Sequence, residues 1–301
     1  MTKNIFITGG LGQDGQIITD LLKNKNVNTY IFSKYNKNKF LKNTKFIKTN
    51  LLNKKKLDKF FSKIKPDIVL HLAANNPSFS EKSYNKFFKQ NFVATKNIFH
   101  STFKANTKAK FIFCNSSQIF KKKKGIVNES SKVISTSDYT NFRIKSDLMM
   151  QRFKIKNKIA YTNVILFNHD SIYRNKKFII PRIIDALIKK NLKFIKMIIN
   201  ENIHSDFSHA EDICKGLFKI MFSKNNFDNI ILSSGKNTSL NKIILYIIKK
   251  YSLKIKTDIK KIKNKKTLIG NNKLAKQKLK WFPKKNIYLA ASEIYKSQIN
   301  K

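Results

Sequence analysis

Four of the chain's eight glycines, Gly9, Gly10, Gly12 and Gly15, fall within seven residues. Glycine serves where a Cβ is forbidden, so a chain this sparing with it carries its tightest backbone constraint there. The cluster follows Asn4-Ile5-Phe6-Ile7-Thr8, a continuous apolar run of the kind that forms a buried parallel strand. It precedes Gln16-Ile17-Ile18-Thr19-Asp20-Leu21-Leu22, whose apolar spacing is helical. Strand, glycine turn and helix N-terminus together build an anion site. The turn admits main chain close to a pyrophosphate, and the helix aims its free N–H groups and dipole at it. The spacing is Gly9-x-x-Gly12-x-x-Gly15 rather than GxGxxG. A strand–helix turn with no ligand needs one or two glycines, not four.

The sequence then alternates in the manner of an α/β fold. Asn28 to Phe32, Asp67 to Ala74, Phe111 to Ser117 and Tyr161 to Phe167 read as further strands, with helices expected at roughly 53–64, 84–104 and 138–155. This predicts a doubly wound (Rossmann) parallel sheet with its ligands beyond the carboxyl ends of the strands. The second strand ends at Ser33-Lys34, where NAD-preferring sites usually place an acid for the ribose 2′-hydroxyl. A hydroxyl and a cation suit a 2′-phosphate, so NADP is the expected cofactor. Gly9, Gly12, Gln13, Asp14, Gly15, Ser33, Lys34, Asn50, Leu72, Ala73 and Ala74 are assigned to it. After about residue 170 the alternation fades into Ile- and Lys-rich sequence, which suits a smaller C-terminal substrate-binding lobe. The expected division is an NADP-binding domain at 1–170 and the lobe at 171–301, with a discontinuous boundary.

The formal net charge of +46 invites a nucleic-acid reading. Only four of the 63 basic residues are arginine, however: Arg143, Arg152, Arg174 and Arg182. Arginine is the preferred side chain for bidentate contacts to phosphate and guanine. The lysines are spread over the whole chain among Asn and Ile, the residues of AT-rich codons. They read as a solvated surface rather than a specific nucleic-acid interface. No apolar run approaches the ~18 residues of a membrane span, and the N-terminus enters strand-like sequence without a signal-peptide pattern. Cys114 and Cys214 make neither a disulfide framework nor a metal knuckle. A cytoplasmic protein without a metal is expected.

Several segments together resemble the extended short-chain dehydrogenase/reductases that modify nucleotide sugars, with the GDP-mannose 4,6-dehydratases the nearest in pattern. They are Ile7 to Gly15 with its Gln13-Asp14-Gly15, Ile165 to Ser171, Asp206 to Asp212, and Gly270 to Pro283. The resemblance runs in order along the whole chain. It implies oxidation of a sugar at C4: a tyrosine takes the hydroxyl proton, a Ser/Thr orients the oxygen, and hydride passes to the nicotinamide. It places the tyrosine at Tyr139 and the hydroxyl at Ser116, and implies a homodimer or homotetramer paired through the helices near 84–104 and 138–155. Ser116, Ser117, Asn168 and Arg182 are assigned to a nucleotide-diphospho-sugar. Asn91 and Glu129 match the family pattern as supports of loop geometry, while His169 and His209 read as structural.

The chain departs from the pattern in three places. Arg143 stands where the family's Tyr-x-x-x-Lys has lysine; it keeps the charge but not the geometry. The same spacing at Tyr35/Lys39, Tyr173/Lys177 and Tyr246/Lys250 is an accident of lysine abundance. Gln118 occupies the place of the glutamate that removes the C5 proton in dehydration, and an amide has no useful basicity. Ser205 and a position near Lys261 replace the two arginines expected on the diphosphate. Ser116, Gln118, Tyr139 and Arg143 form the expected catalytic set, with Tyr139 and Arg143 also beside the cofactor. The expected reaction is NADP-dependent and of the GDP-mannose 4,6-dehydratase type. The alternatives are a 4-epimerase, a 4-keto-sugar reductase, or a cofactor-binding protein with decayed catalysis.

Overall fold

The computed structural model describes residues 2–33, 44–76, 84–257 and 264–300. Lys34, Tyr35, Lys39 and Lys261 lie outside them. The described strands are β1 (Lys3–Thr8), β2 (Val27–Ser33), β3 (Thr44–Lys48), β4 (Ile68–His71), β5 (Lys110–Ser116), β6 (Gly125–Val127), β7 (Ala160–Leu166), β8 (Asn168–Asp170), β9 (His204–His209), β10 (Asn229–Leu232), β11 (Asn237–Ser239) and β12 (Leu268–Gly270). The first helices are α1 (Gln13–Leu22), α2 (Lys54–Ile64), α3 (Tyr84–Phe87), α4 (Ala94–Ala105) and α5 (Asp138–Asn157). The others are α6 (Ile179–Ile188), α7 (Leu192–Glu201), α8 (Ala210–Phe222), α9 (Leu240–Lys250), α10 (Lys273–Leu279) and α11 (Ile287–Ile299). Seven strands form one parallel sheet in the order β10-β7-β5-β4-β1-β2-β3. The chain therefore winds outward from β1 in both directions, and the point of reversal lies above β1 and β4.

Both faces of the sheet are covered, which is why its strands read as unbroken apolar runs. Side chains alternate between the faces, and here the alternation sorts residue types. Ile5, Ile7, Leu70, Ile112 and Val164 face α1, α8 and Trp281 in an aliphatic core. Phe6, Phe32, Val69, Phe111, Phe113 and Tyr161 face α2, α4 and α5 in an aromatic one. Its rings meet edge-on, as Phe6 does Phe61 at 4.8 Å between centroids and Phe99 does Phe111 at 5.1 Å. A third core, built from α6, α7, α9 and α11 around Phe207, forms the C-terminal lobe. The chain leaves that lobe to return to the sheet: α8 packs on α1, and β10 pairs with β7.

The helix expected at 84–104 runs from Tyr84 to Ala105 with π-helical turns over Phe88–Val93. A π-helical turn displaces one residue out of register, and Asn91 lies in it, fully buried. Its amide pairs with the main chain of Asn75, accepting from the nitrogen at 2.7 Å and donating to the oxygen at 3.0 Å. Ser146 on α5 donates to the Asn91 carbonyl at 3.0 Å. Asn91 thereby fixes the loop after β4 against two helices. Glu129 accepts the Ile231 N–H of edge strand β10 at 3.1 Å. Several helices end without glycine: Lys65, Lys158, Asn202 and Lys280, following α2, α5, α7 and α10, take the left-handed conformation.

Candidate active site

Gly9 carries φ +70°, and a Cβ there would stand 2.9 Å from the Ala73 nitrogen at the end of β4. At Gly15 a Cβ would fall 2.3 Å from the Gly10 Cα, so the first turn of α1 lies directly on the loop. Gly12 is the N-cap of α1 and supplies no side-chain cap, which leaves N–H donors of the first turn for a ligand. A cleft of about 620 Å³ opens over this turn. It is lined by Gly9, Gly12, Ser33, Asn50, Ala73 and Ala74 among the expected residues. Among the described residues that line it there is no Asp or Glu. A glycine cradle, an open helix N-terminus and a cleft at the sheet's reversal point fit a dinucleotide.

Other expected cofactor contacts turn away from the cleft. The Gln13 amide donates to the His169 carbonyl at 3.2 Å and accepts from Ser171 Oγ at 3.1 Å. Asp14 meets His169 Nε2 at 3.1 Å through both oxygens, while His169 Nδ1 lies 2.6 Å from the Phe167 carbonyl. Helical rotation directs the side chains at 13 and 14 toward β8, so they brace the loop instead of lining the cleft. Leu72 bonds its N–H to the Thr8 carbonyl and packs its side chain on the aliphatic core.

The Asp14–His169 pair is buried. For Asp14, burial alone raises the pKa, but the His169 charge and hydrogen bond, with Arg174 and Gln13, hold it down to about 2. For His169, burial alone favours the neutral ring, and the Asp14 carboxylate reverses this and raises the pKa. The histidine's share of stability is therefore fully present below its unfolded pKa of about 6.5 and disappears as pH rises through the higher folded value. The aspartate's share is present above the ordinary 3.8 and lost as pH falls toward about 2. Expected is a thermal midpoint that declines from about pH 6.5 upward more steeply in the parent than in His169→Gln. Parallel curves in a pH series would refute this.

The segment expected to be catalytic lies on β5 and α5. Ser137 and Thr140 form a capping box that starts α5 next to Tyr139. The helix packs against β5 and the turn that follows it. Tyr139 is 6% exposed and meets Phe87 edge-on. Ser116 Oγ accepts the Gln118 N–H at 3.3 Å. A second cavity of about 270 Å³ is lined by Ser117, Gln118, Lys123, Thr136, Phe167, Ser205 and Leu268. Asn168 donates to Ser205 Oγ at 2.7 Å beside it.

Two assigned residues lie away from both cavities. Arg143, expected at the cofactor, is 1% exposed and lines neither cavity, because its guanidinium folds onto β5 and stacks on Phe113. Arg182, expected at the substrate, sits exposed on α6 with its guanidinium 4.8 Å above the Phe194 ring and lines neither cavity. Conversely, Lys86, Gln90 and Lys177 line the larger cleft and Lys123 the smaller one. No spacing marks Lys86 or Lys123 in a chain so rich in lysine. Among the described residues no group of three His, Cys, Asp or Glu side chains is placed to hold a metal, and no helix is long and apolar enough to cross a membrane.

The model of the NAD-dependent epimerase/dehydratase family matches residues 5–232. The chain belongs to this family. A UDP-glucose 4-epimerase of Mycoplasma genitalium is 24% identical over 80% of the chain and 79% of its own length. A dTDP-D-glucose 4,6-dehydratase of Dictyostelium discoideum is 27% identical over 76% of the chain, which spans 57% of that protein. The structure of UDP-glucuronic acid 4-epimerase from Bacillus cereus, solved with UDP-glucuronic acid and NAD, superposes with a TM-score of 0.82 at 18% identity, covering 99% of both chains. This epimerase/dehydratase is thus an extended short-chain dehydrogenase/reductase, an enzyme of the nucleotide-sugar-modifying kind. Its relatives divide between 4-epimerases and a 4,6-dehydratase, so the family is common to them and the reaction is not.

Proposed function

We propose that this enzyme oxidises a nucleotide-diphospho-sugar at C4 and returns the hydride to the opposite face, a 4-epimerisation. A 4,6-dehydration of the GDP-mannose type additionally needs a base to remove the C5 proton. The observation that carries the choice is the smaller cavity: it presents the Gln118 amide, and among the described residues no carboxylate or imidazole lines it. Tyr139 takes the C4 hydroxyl proton and Ser116 orients the oxygen. Asn168 and Ser205 offer hydrogen bonds to the diphosphate, with Lys123 as a point charge. Nicotinamide supplies the reversible hydride acceptor. After incubation of UDP-glucose, dTDP-glucose or GDP-mannose with protein and cofactor, chromatography coupled to mass spectrometry is expected to separate a second species of unchanged mass, the C4 epimer. A product one water lighter would establish dehydration instead.

For the cofactor we propose NADP. The larger cleft carries Ser33 and lysines and no carboxylate to hold a 2′-hydroxyl. NADP is expected to bind at least tenfold more tightly than NAD in calorimetry, and Lys34→Asp to erase the preference; equal affinities in the parent would end the argument. The same family reading pairs two copies through α3–α4 and α5. Exposed Tyr84, Phe88, Leu148 and Ile155 on those helices support this, and sedimentation reads it.

A further inference from the structure

Arg143 is almost fully buried, and its Nη1 has no hydrogen-bond partner among the described residues. The carboxylate one turn along α5, Asp147, is engaged by Tyr161, Asn163 and Gln151. A buried guanidinium is costly without a counter-ion, and it keeps its proton. The contacts it does make all fall on consecutive residues of β5. Its plane stacks on Phe113, 4.1 Å from the ring centroid, and Nη2 donates to the Cys114 carbonyl. Nε donates to Asn115 Oδ1 at 3.4 Å. The same Asn115 oxygen accepts the Ser116 N–H at 2.9 Å, and Ser116 Oγ accepts the Gln118 N–H. An unbroken run of contacts therefore leads from α5 to the hydroxyl at the end of β5. Only a planar fork can engage a ring, a carbonyl and an amide oxygen together; an ammonium is a single point.

We propose that Arg143 is a positioning residue that fastens the end of β5 to α5, fixing Ser116 relative to Tyr139, and that it does not bind the cofactor. The catalytic consequence rests on the reading of Ser116 and Tyr139 given above; the fastening itself is testable without it. In Arg143→Lys, amide hydrogen exchange at Ser116 and Gln118 is expected to quicken at least tenfold. The Kd for NADP, read by calorimetry, should stay within twofold of the parent. Asn115→Ala removes the shared acceptor and frees the Ser116 N–H directly, so its readout is Gln118, whose exchange is expected to quicken as in Arg143→Lys; this decides the matter should the first variant fail to fold. Unchanged exchange in a folded variant, or a tenfold weaker cofactor, overturns the proposal. With an active nucleotide sugar, either change should lower kcat tenfold or more at near-constant KM. The double variant should be no slower than the slower single one, because the two residues act through one contact; additive losses also overturn it. A parent inactive on every sugar would sink the proposed reaction and leave the exchange and binding results to decide the fastening.

Discussion

Replacing Tyr139 with phenylalanine is expected to slow reduction of the nicotinamide by nucleotide sugar about 10³-fold, the usual scale for loss of a positioned general base. The ring stays: it is buried beside Phe87, and among the described residues its hydroxyl holds no hydrogen bond that the exchange would break. Thermal stability and cofactor affinity should therefore hardly move, and the whole effect should appear in the chemical step. Single-turnover absorbance of the reduced nicotinamide measures it. A variant within tenfold of the parent would remove Tyr139 from the reaction and reopen the question of what takes the proton.

The largest effect on stability is expected at Asp206, far from any reacting atom. Its carboxylate is completely buried and accepts four hydrogen bonds. Oδ1 takes the Ser234 N–H at 2.9 Å and its hydroxyl at 2.6 Å; Oδ2 takes the N–H groups of Gly235 and Gly270, both at 3.1 Å. Burial raises its pKa, and those donors pull the other way. Asp206→Ala strands the Gly270 N–H in the interior, at about 1–3 kcal/mol, and removes the acceptor of the Ser234 and Gly235 N–H groups nearer the surface, so a loss of about 2–6 kcal/mol is expected in urea unfolding. That is a large share of a typical domain's stability. Asp206→Asn should rescue little, since its NH₂ group would face N–H donors on one side. A loss below about 1 kcal/mol would mean the surrounding loops re-pair elsewhere. The site would feel the change too, because adjacent Ser205 holds Asn168.

The sheet was legible because its strands are buried on both faces and its turn is marked by glycine. The helices at 54–64, 84–105 and 138–157 fall close to where their spacing places them. Side-chain direction at the site was less legible. Gln13 and Asp14 sit in the right motif, yet their partners His169 and Ser171 lie more than 150 residues away, and only the fold brings them together. Arg143 occupies the right turn of the right helix. Its spacing gives the face, not the depth, and stacking on Phe113 decides the depth. Lys177 lines the larger cleft, a placement that its spacing from Tyr173 does not foretell.

Among the described residues, lysine, serine and asparagine hold positive φ at six places, all at or just beyond helix ends, where a Cβ costs on the order of 1 kcal/mol of local strain. At the first strand–helix turn the obstacle is of another kind: main chain already fills the space that a Cβ would need. The helix ends are thus the part of this architecture that absorbs an unusual amino-acid vocabulary, and the glycine turn after β1 is the part that refuses it. A chain drawn still further from glycine would meet its first barrier at Gly9 and Gly15.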